Sequence, residues 1–103
     1  MSSAKVPGVA VSDDVIADFC KRHHIRRLAF FGSVLRNDFG PDSDVDVLVE
    51  FEPGQFIGFA IVDMEDELSQ ILGRRVDLVT VNALNRRIRD RVLREAQTRY
   101  AAV

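Results

Sequence analysis

The sequence contains no tryptophan and only one cysteine, Cys20, among its 103 residues. A single cysteine cannot form a disulfide within the chain, and its place in a helical pattern predicts a buried thiol rather than a reactive one. No apolar run approaches the ~20 residues that a membrane-spanning helix needs. The first residues, MSSAKVPGVAV, carry one lysine and a short apolar stretch broken by proline, unlike a secretory signal. These absences argue against disulfide-rich and membrane proteins and predict a globular protein of the cytoplasm.

Histidine is also scarce, because His23 and His24 are the only two. Neighbouring residues of a helix point in different directions, and no third metal-binding side chain lies nearby in the sequence. We therefore interpret the pair as the end of a helix rather than as a metal site.

The net charge of −2 conceals an uneven distribution of charge along the chain. Residues 74–103 contain eight arginines and three acidic residues, whereas residues 1–73 are strongly acidic. This asymmetry favours an acidic partner or self-association over sequence-specific binding of nucleic acid. A solvated, arginine-rich helix face is the alternative.

Apolar periodicity predicts alternating helices and strands. Ser12 precedes an acidic first turn and an apolar helical pattern, so it is the expected N-cap of a helix that ends near His24. The other predicted elements are a strand at 26–31, a helical turn at 34–37 capped by Ser33, a strand at 44–51, a helix at 56–72 with Phe59 and Ala60 inward, a strand at 75–80, and a helix from about residue 82 whose apolar stripe reaches Tyr100. The expected fold is one α/β (α+β) domain spanning 1–103, with a small mixed sheet of three or more strands and helices on one face.

The strand at 44–51 places two carboxylates on one face. Asp44 and Asp46 alternate with valines, and side chains two residues apart on a strand share a face, with α-carbons about 6.5–7 Å apart. Two such aspartates can converge on Mg²⁺, which binds few carboxylates together with waters and phosphate oxygens. Asp77 would join them as a third carboxylate if the strand at 75–80 lies beside this one. Without a metal, like charges this close would repel each other.

A calcium-binding EF-hand loop is the alternative interpretation, because Asp42, Asp44 and Asp46 mimic the first, third and fifth positions of such a loop. The sixth position of such a loop would be Val47 instead of glycine, and the twelfth would be Pro53 instead of glutamate. The EF-hand is therefore excluded.

A Gly-Ser pair, Gly32 and Ser33, ends the strand at 26–31. Glycine at a strand end lets a ligand approach the backbone, and a serine that caps a short helix offers a hydroxyl and free amides to an anion. The alternative is that Ser33 only caps the helical turn while Gly32 accommodates the bend. A phosphate-binding turn after one strand, followed by a metal site on the next, favours a nucleoside triphosphate as ligand.

Gly32, Ser33, Asp44 and Asp46 form the pattern G-S-x10-D-x-D, which resembles the motif of the DNA polymerase beta-like nucleotidyltransferase superfamily. The stretch GSVLRNDFGPDSDVDVLVEFEPG is similar, more closely, to minimal nucleotidyltransferases of the MntA antitoxin type, the partners of HEPN-domain toxins. The resemblance extends over most of the chain, including RRVDLVT. It implies the polymerase beta-like nucleotidyltransferase fold.

The resemblance also implies roles for individual residues. Asp44 and Asp46 would hold two Mg²⁺ ions, and Asp77 would stand at the third carboxylate position, as a metal ligand or as the base. Gly32 and Ser33 would contact the nucleotide phosphates. Near the motif, Arg36 occupies a place where the family often has a basic residue, and its partner, a phosphate or an acid, stays open.

The reaction implied by the resemblance is transfer of AMP from ATP to a hydroxyl group, with release of pyrophosphate. Antitoxins of this type AMPylate a tyrosine of the HEPN-type toxin and silence it. Two other functions stay open: a non-catalytic antitoxin that neutralises its toxin by binding, and a nucleotidyltransferase for a small molecule such as an aminoglycoside. The short chain argues against an acceptor pocket for a small molecule, and self-association stays open.

Overall fold

The computed structural model describes residues 11–35, 44–55 and 57–102. The elements in chain order are α1 (Asp13–Arg22), β1 (Ile25–Phe31), a 3-10 helix (Gly32–Leu35), β2 (Val45–Phe51), α2 (Ala60–Leu72), β3 (Val76–Thr80), a 3-10 helix (Val81–Ala83), α3 (Arg86–Glu95) and β4 (Gln97–Ala101). The four strands of the described residues form one sheet in the order β3-β2-β1-β4. In it, β2 runs parallel to β3 and antiparallel to β1, and β4 runs antiparallel to β1. The predicted α/β class and mixed sheet are confirmed.

None of the helices in the described ranges has the length and apolar character needed to cross a bilayer.

The first helix forms as its sequence pattern predicts. The Ser12 hydroxyl accepts a hydrogen bond from the Val15 amide at 3.3 Å, and acidic residues fill the first turn, where they complement the helix dipole. Phe19 and Cys20 are fully buried on its inner face. The predicted burial of the Cys20 thiol is confirmed, and this burial raises its pKa to about 12.

The helix α2 connects the parallel strands β2 and β3 and begins later than its periodicity indicated. It starts at Ala60 rather than at residue 56, and Gly73 ends it in the left-handed conformation, with φ of 68°. The prediction that Phe59 and Ala60 face inward is wrong, because Phe59 is 94% exposed and Ala60 is also exposed. Since Phe59 precedes the first helical residue, the helical period does not govern where its ring lies.

The C-terminal segment differs most from the prediction. The helix α3 ends at Glu95, because Ala96 adopts an extended conformation, and β4 follows where the helix was expected to continue. The predicted apolar stripe therefore does not extend along a helix to Tyr100. Instead, Tyr100 lies in β4 opposite Leu28 of β1 and packs against the main core.

The prediction that all helices lie on one face of the sheet is also wrong. On one face, α1 and α2 cover the apolar side of β2, where Val45, Val47 and Val49 are fully buried. On the other face, Val92 of α3 and Leu84, which precedes that helix, pack against Leu48, which is 1% exposed. Leu48 points to the same side as the carboxylate-bearing positions of β2, and its apolar surface needs a cover that only a helix on that side supplies.

Candidate functional site

Three chain segments meet at one end of the sheet: the end of β1, the start of β2 and the start of β3. Because β1 runs antiparallel to β2, its last residue, Phe31, pairs with Asp46. Because β2 runs parallel to β3, Asp46 in turn pairs with Asp77. The topology thus makes neighbours of motif residues that lie far apart in the sequence.

The acidic side chains at this end belong to two adjacent strands. Asp46 is half-buried and Asp77 is exposed, and paired positions on neighbouring strands put their side chains on the same face, with backbones about 4.8 Å apart. Asp44 is exposed and directly precedes β2, two residues before Asp46. The predicted adjacency of the strands that carry Asp46 and Asp77 is confirmed.

Gly32 is fitted to the carboxylate of Asp46. Its φ of 77° lies in the left-handed region, where glycine carries no steric penalty. A Cβ atom built on Gly32 would overlap Oδ2 of Asp46 and lie 3.1 Å from its Cγ. The backbone of the Gly-Ser turn and the second motif carboxylate, Asp46, therefore pack so closely that no larger residue fits between them.

The donor set at this end of the sheet fits a hard cation. Asp44, Asp46 and Asp77 offer carboxylate oxygens, the ligands that Mg²⁺ prefers, and Asp46 and Asp77 occupy paired positions on adjacent strands. Within the part of the chain that the structure describes, no three His, Cys, Asp or Glu side chains form a group that could hold a metal. Mg²⁺ does not need a full protein cage, because waters and substrate phosphates complete its coordination. Ligation by these three aspartates stays a prediction.

The other two predicted contacts are less well defined. The 3-10 helix Gly32–Leu35 already includes Ser33, whereas the prediction began the turn at residue 34 with Ser33 as its cap. Residues 36 and 37 of the predicted turn lie outside the described residues. Four residues are too few for a strong helix dipole, which weakens the anion-binding argument from a helix terminus. Arg36 lies outside the described residues, and its contact with a phosphate stays a prediction.

Sequence reasoning missed two residues that bear on this site, Glu65 and Ser69 of α2. Their side chains accept hydrogen bonds from the backbone amides of Leu78 and Val76, the residues on either side of Asp77. In the sequence, Glu65 is one of several acidic residues in the helix α2. No pattern separates it from its solvated neighbours.

A separate cavity of about 570 Å³ opens at the carboxyl ends of β2 and β3. Its lining includes Phe51, Ile61 and Thr80, together with Glu50, which pairs with Arg26 at 3.0 Å. Burial raises the pKa of Glu50, but the hydrogen bonds from Arg26 and from the neighbouring β1 arginine outweigh it and leave that pKa below its usual value. The motif carboxylates lie at the opposite end of the same strands. Because the motif carboxylates lie at that end, we locate the candidate site beside Asp46 and Asp77 and not at this cavity.

Comparison with known proteins gives three findings. A family model of the nucleotidyltransferase domain matches residues 13–99. The chain is 40% identical over 75 residues to the protein adenylyltransferase MntA of Thermococcus cleftensis, which covers 73% of this chain and 75% of that protein. It is also similar to a solved structure of a candidate minimal nucleotidyltransferase, with 39% identity, a TM-score of 0.69, and coverage of 82% of this chain and 85% of the other.

A more distant likeness concerns the fold alone. A complex of a tri-AMPylated HEPN toxin with MNT antitoxin from Shewanella oneidensis matches 87% of this chain and 70% of the chain compared, with a TM-score of 0.64 and 17% identity. At this identity the match supports the common architecture and nothing finer.

Proposed function

The chain belongs to the nucleotidyltransferase domain family, and from this premise we propose that it transfers AMP from ATP to a hydroxyl group of a HEPN-type toxin and acts as its antitoxin. The observation that carries the proposal is the pairing of Phe31 with Asp46 and of Asp46 with Asp77, with Gly32 packed against the Asp46 carboxylate. This arrangement supports nucleotidyl transfer, because it brings carboxylates that could bind a cation next to a Gly-Ser turn that could contact phosphates.

Asp44 and Asp46 would hold two Mg²⁺ ions, with Asp77 as the third carboxylate. When bound, Mg²⁺ supplies positive charge that neutralises the phosphate oxygens and lowers the pKa of the acceptor hydroxyl. The turn at Gly32 and Ser33 would receive the triphosphate, and Arg36 would contact it from the following segment. These assignments extend the motif to roles for individual side chains.

The transfer itself is an in-line displacement at the α-phosphorus. The acceptor oxygen forms a bond to phosphorus while the bond to the bridging oxygen of pyrophosphate breaks, and the hydroxyl proton passes to a carboxylate, for which Asp77 is the candidate. Asp77 is exposed and therefore within reach of an acceptor that approaches from solvent. The protein's contribution is to hold nucleotide and acceptor in line.

Two relatives support the choice of donor and acceptor. The Thermococcus relative is named a protein adenylyltransferase, which favours ATP as donor and a protein as acceptor. The Shewanella complex contains an AMPylated HEPN toxin with an MNT antitoxin of the same architecture. A tyrosine hydroxyl is the acceptor that we propose, and the cytoplasm, where ATP and Mg²⁺ are abundant, is the compartment.

The proposal is tested by incubating the protein with its cognate HEPN-type toxin, isotope-labelled ATP and Mg²⁺, and then measuring added AMP on the toxin by mass spectrometry. We expect AMP on a tyrosine. Replacing Asp46 with asparagine, which keeps the side-chain size that Gly32 accommodates, should abolish transfer without changing the circular dichroism spectrum. Asp18→Asn is the matched control, because Asp18 is exposed on α1 and pairs only with Arg22 among the contacts described.

Two results would contradict the proposal. AMP incorporation by Asp46→Asn at the wild-type rate would remove Asp46 from the reaction. Full silencing of the toxin by Asp46→Asn, with no AMP on the toxin in any reaction, would show instead a binding module that acts by occlusion.

A further inference from the structure

The strand that carries Asp77 lies at an edge of the sheet. Among the described residues, β3 pairs with β2 on one side only, and it is five residues long. A short edge strand leaves every second amide facing away from its partner strand, and those amides need other acceptors. In β3 the outward amides that flank Asp77 belong to Val76 and Leu78.

The helix α2 supplies both acceptors. The Val76 amide donates to Oγ of Ser69 at 3.0 Å, and the Leu78 amide donates to Oε2 of Glu65 at 2.8 Å. The Ser69 hydroxyl in turn donates to the backbone carbonyl of Glu65 at 2.8 Å, so its proton is committed and its lone pair faces Val76. The bond to Glu65 has a carboxylate acceptor and is therefore of the stronger, charge-assisted kind.

These two hydrogen bonds set the register of β3 along β2, which apolar packing alone does not determine. Met64 and Leu68 bury α2 against the core, but burial is not directional and does not by itself set how far a strand slides along its neighbour. A slip of one residue would turn Asp77 toward the core. A slip of two would keep its face but carry it about 6.5 Å away from Asp46. Two amide contacts at positions i and i+2 oppose both movements.

We propose that Glu65 and Ser69 are positioning residues for Asp77: they clamp β3 in the register that keeps the Asp77 carboxylate beside Asp46. The inference rests on the proposed function, because the place of Asp77 matters only if nucleotidyl transfer uses it. The clamp acts through the backbone on both sides of Asp77 and touches neither nucleotide nor acceptor.

The first test compares Glu65→Ala with Glu65→Gln and Ser69→Ala. Displacement of a reacting group by about 1 Å can cost as much as 100-fold in rate, so we expect Glu65→Ala to lower kcat for AMP transfer by about 10- to 100-fold. The KM for ATP should not change, because the phosphate-binding turn lies elsewhere. Glu65→Gln retains an acceptor oxygen and should recover most of the lost rate. The matched control is Asp66→Ala, which removes the neighbouring exposed acid of α2 and should behave as wild type.

The decisive measurement is a double-mutant cycle with Asp77→Asn. If the clamp acts through Asp77, then Glu65→Ala should cause no further loss of kcat in the Asp77→Asn protein, although it still lowers Tm. Losses of kcat that multiply in the double variant would overturn the inference and leave Glu65 a residue of stability alone. If Glu65→Ala fails to fold, the same cycle with Ser69→Ala decides.

Amide hydrogen exchange separates failure of the clamp from failure of the proposed function. In Glu65→Ala, the Leu78 amide should lose protection while amides of β1 keep theirs. Lost protection at Leu78 with a wild-type kcat would overturn the inference and leave the proposed function intact. Absence of AMP transfer by the wild-type protein to its toxin would instead overturn the proposed function, and the inference with it.

Discussion

At the scale of single residues, the close contact between Gly32 and Asp46 makes a sharp prediction. In Gly32→Ala, the new methyl group would displace the Asp46 carboxylate and the backbone would carry left-handed strain of about 1–2 kcal/mol. We expect loss of AMP transfer together with a fall of that size in the free energy of unfolding, measured by urea denaturation.

Gly54 offers the matched control for this substitution. Its φ of 85° is equally left-handed, but no atom of the described residues lies within 4 Å of a Cβ built on it. Gly54→Ala should therefore lose similar stability and keep full activity. Equal loss of activity in both variants would show that backbone strain, rather than displacement of Asp46, disables the site.

The residue pattern predicts some of these relationships and not others. Alternation along two strands predicted that Asp46 and Asp77 share a face, because a period of two is a local property of the chain. It could not reveal why position 32 is glycine, since that reason is a side chain fourteen positions away. The exposed ring of Phe59 was equally hidden, because its burial depends on where α2 begins.

At the scale of elements, local periodicity did not predict β4, because this strand forms by pairing with the edge of β1, which is distant in the sequence. Leu84, Ile88, Val92, Ala96 and Tyr100 recur every four residues and predict one long helix. The helix ends at Glu95 because β1 has a second edge to pair, and β4 fills it from Gln97 to Ala101. An apolar pattern with a period of four carries no information about an unpaired strand edge that a distant segment creates. Thr98 and Tyr100 are residue types that favour a strand.

Arg99 ties β4 to the first helix. Its side chain is 6% exposed, donates to Oδ1 of Asp13 at 2.9 Å and to the Val11 carbonyl at 3.0 Å, and lies 5.5 Å from the centre of the Phe30 ring. Arg99→Ala should lower the free energy of unfolding by about 1–3 kcal/mol, because it removes charge-assisted hydrogen bonds and packing. Asp13→Asn should cost less, since the amide oxygen still accepts. Equal losses, measured by chemical denaturation, would contradict the role of Arg99 in packing.

A contact between α1 and α2 gives stability a pH dependence. The hydrogen bond from Arg22 lowers the pKa of Glu67, burial raises it, and the bond with Nε2 of His23 at 2.7 Å lowers it again, so the net pKa is below its ordinary value. A carboxylate with a depressed folded-state pKa stabilises the fold above its ordinary, unfolded pKa and loses that contribution as the pH falls through the folded value.

We therefore expect the free energy of unfolding to fall in acid more steeply for the wild type than for Glu67→Gln. Urea titrations at a series of pH values below neutrality measure this. Asp66→Asn is the control, since this exposed neighbour should leave the slope unchanged. Parallel pH profiles for wild type and Glu67→Gln would show that other carboxylates carry the acid sensitivity.

At the scale of the whole molecule, the helices α2 and α3 lie on opposite faces of the sheet and expose side chains of opposite charge. α2, on one face, exposes Asp63 and Asp66, while α3, on the other, exposes Arg86, Arg87, Arg91 and Arg94. The arginines lie on the helix that covers the same face of the sheet as Asp46 and Asp77. A toxin that docks on α3 through an acidic surface would thus approach the side of the molecule from which an acceptor hydroxyl has to enter.

Charge reversal on α3 tests this docking surface. Arg87→Glu with Arg91→Glu should weaken toxin binding by about tenfold or more, or at least about 1.4 kcal/mol, mainly through slower association at low salt. The difference from wild type should shrink at high salt, because exposed charges are screened. Lys21→Glu, on α1 at the opposite face, is the control and should bind as wild type.

Surface plasmon resonance measures the association rates of these variants with the toxin. Sedimentation of the free variants excludes altered self-association as the cause of a change. Unchanged rates in the double variant would identify the arginines as a solvated face, and the docking surface would then lie elsewhere on the molecule.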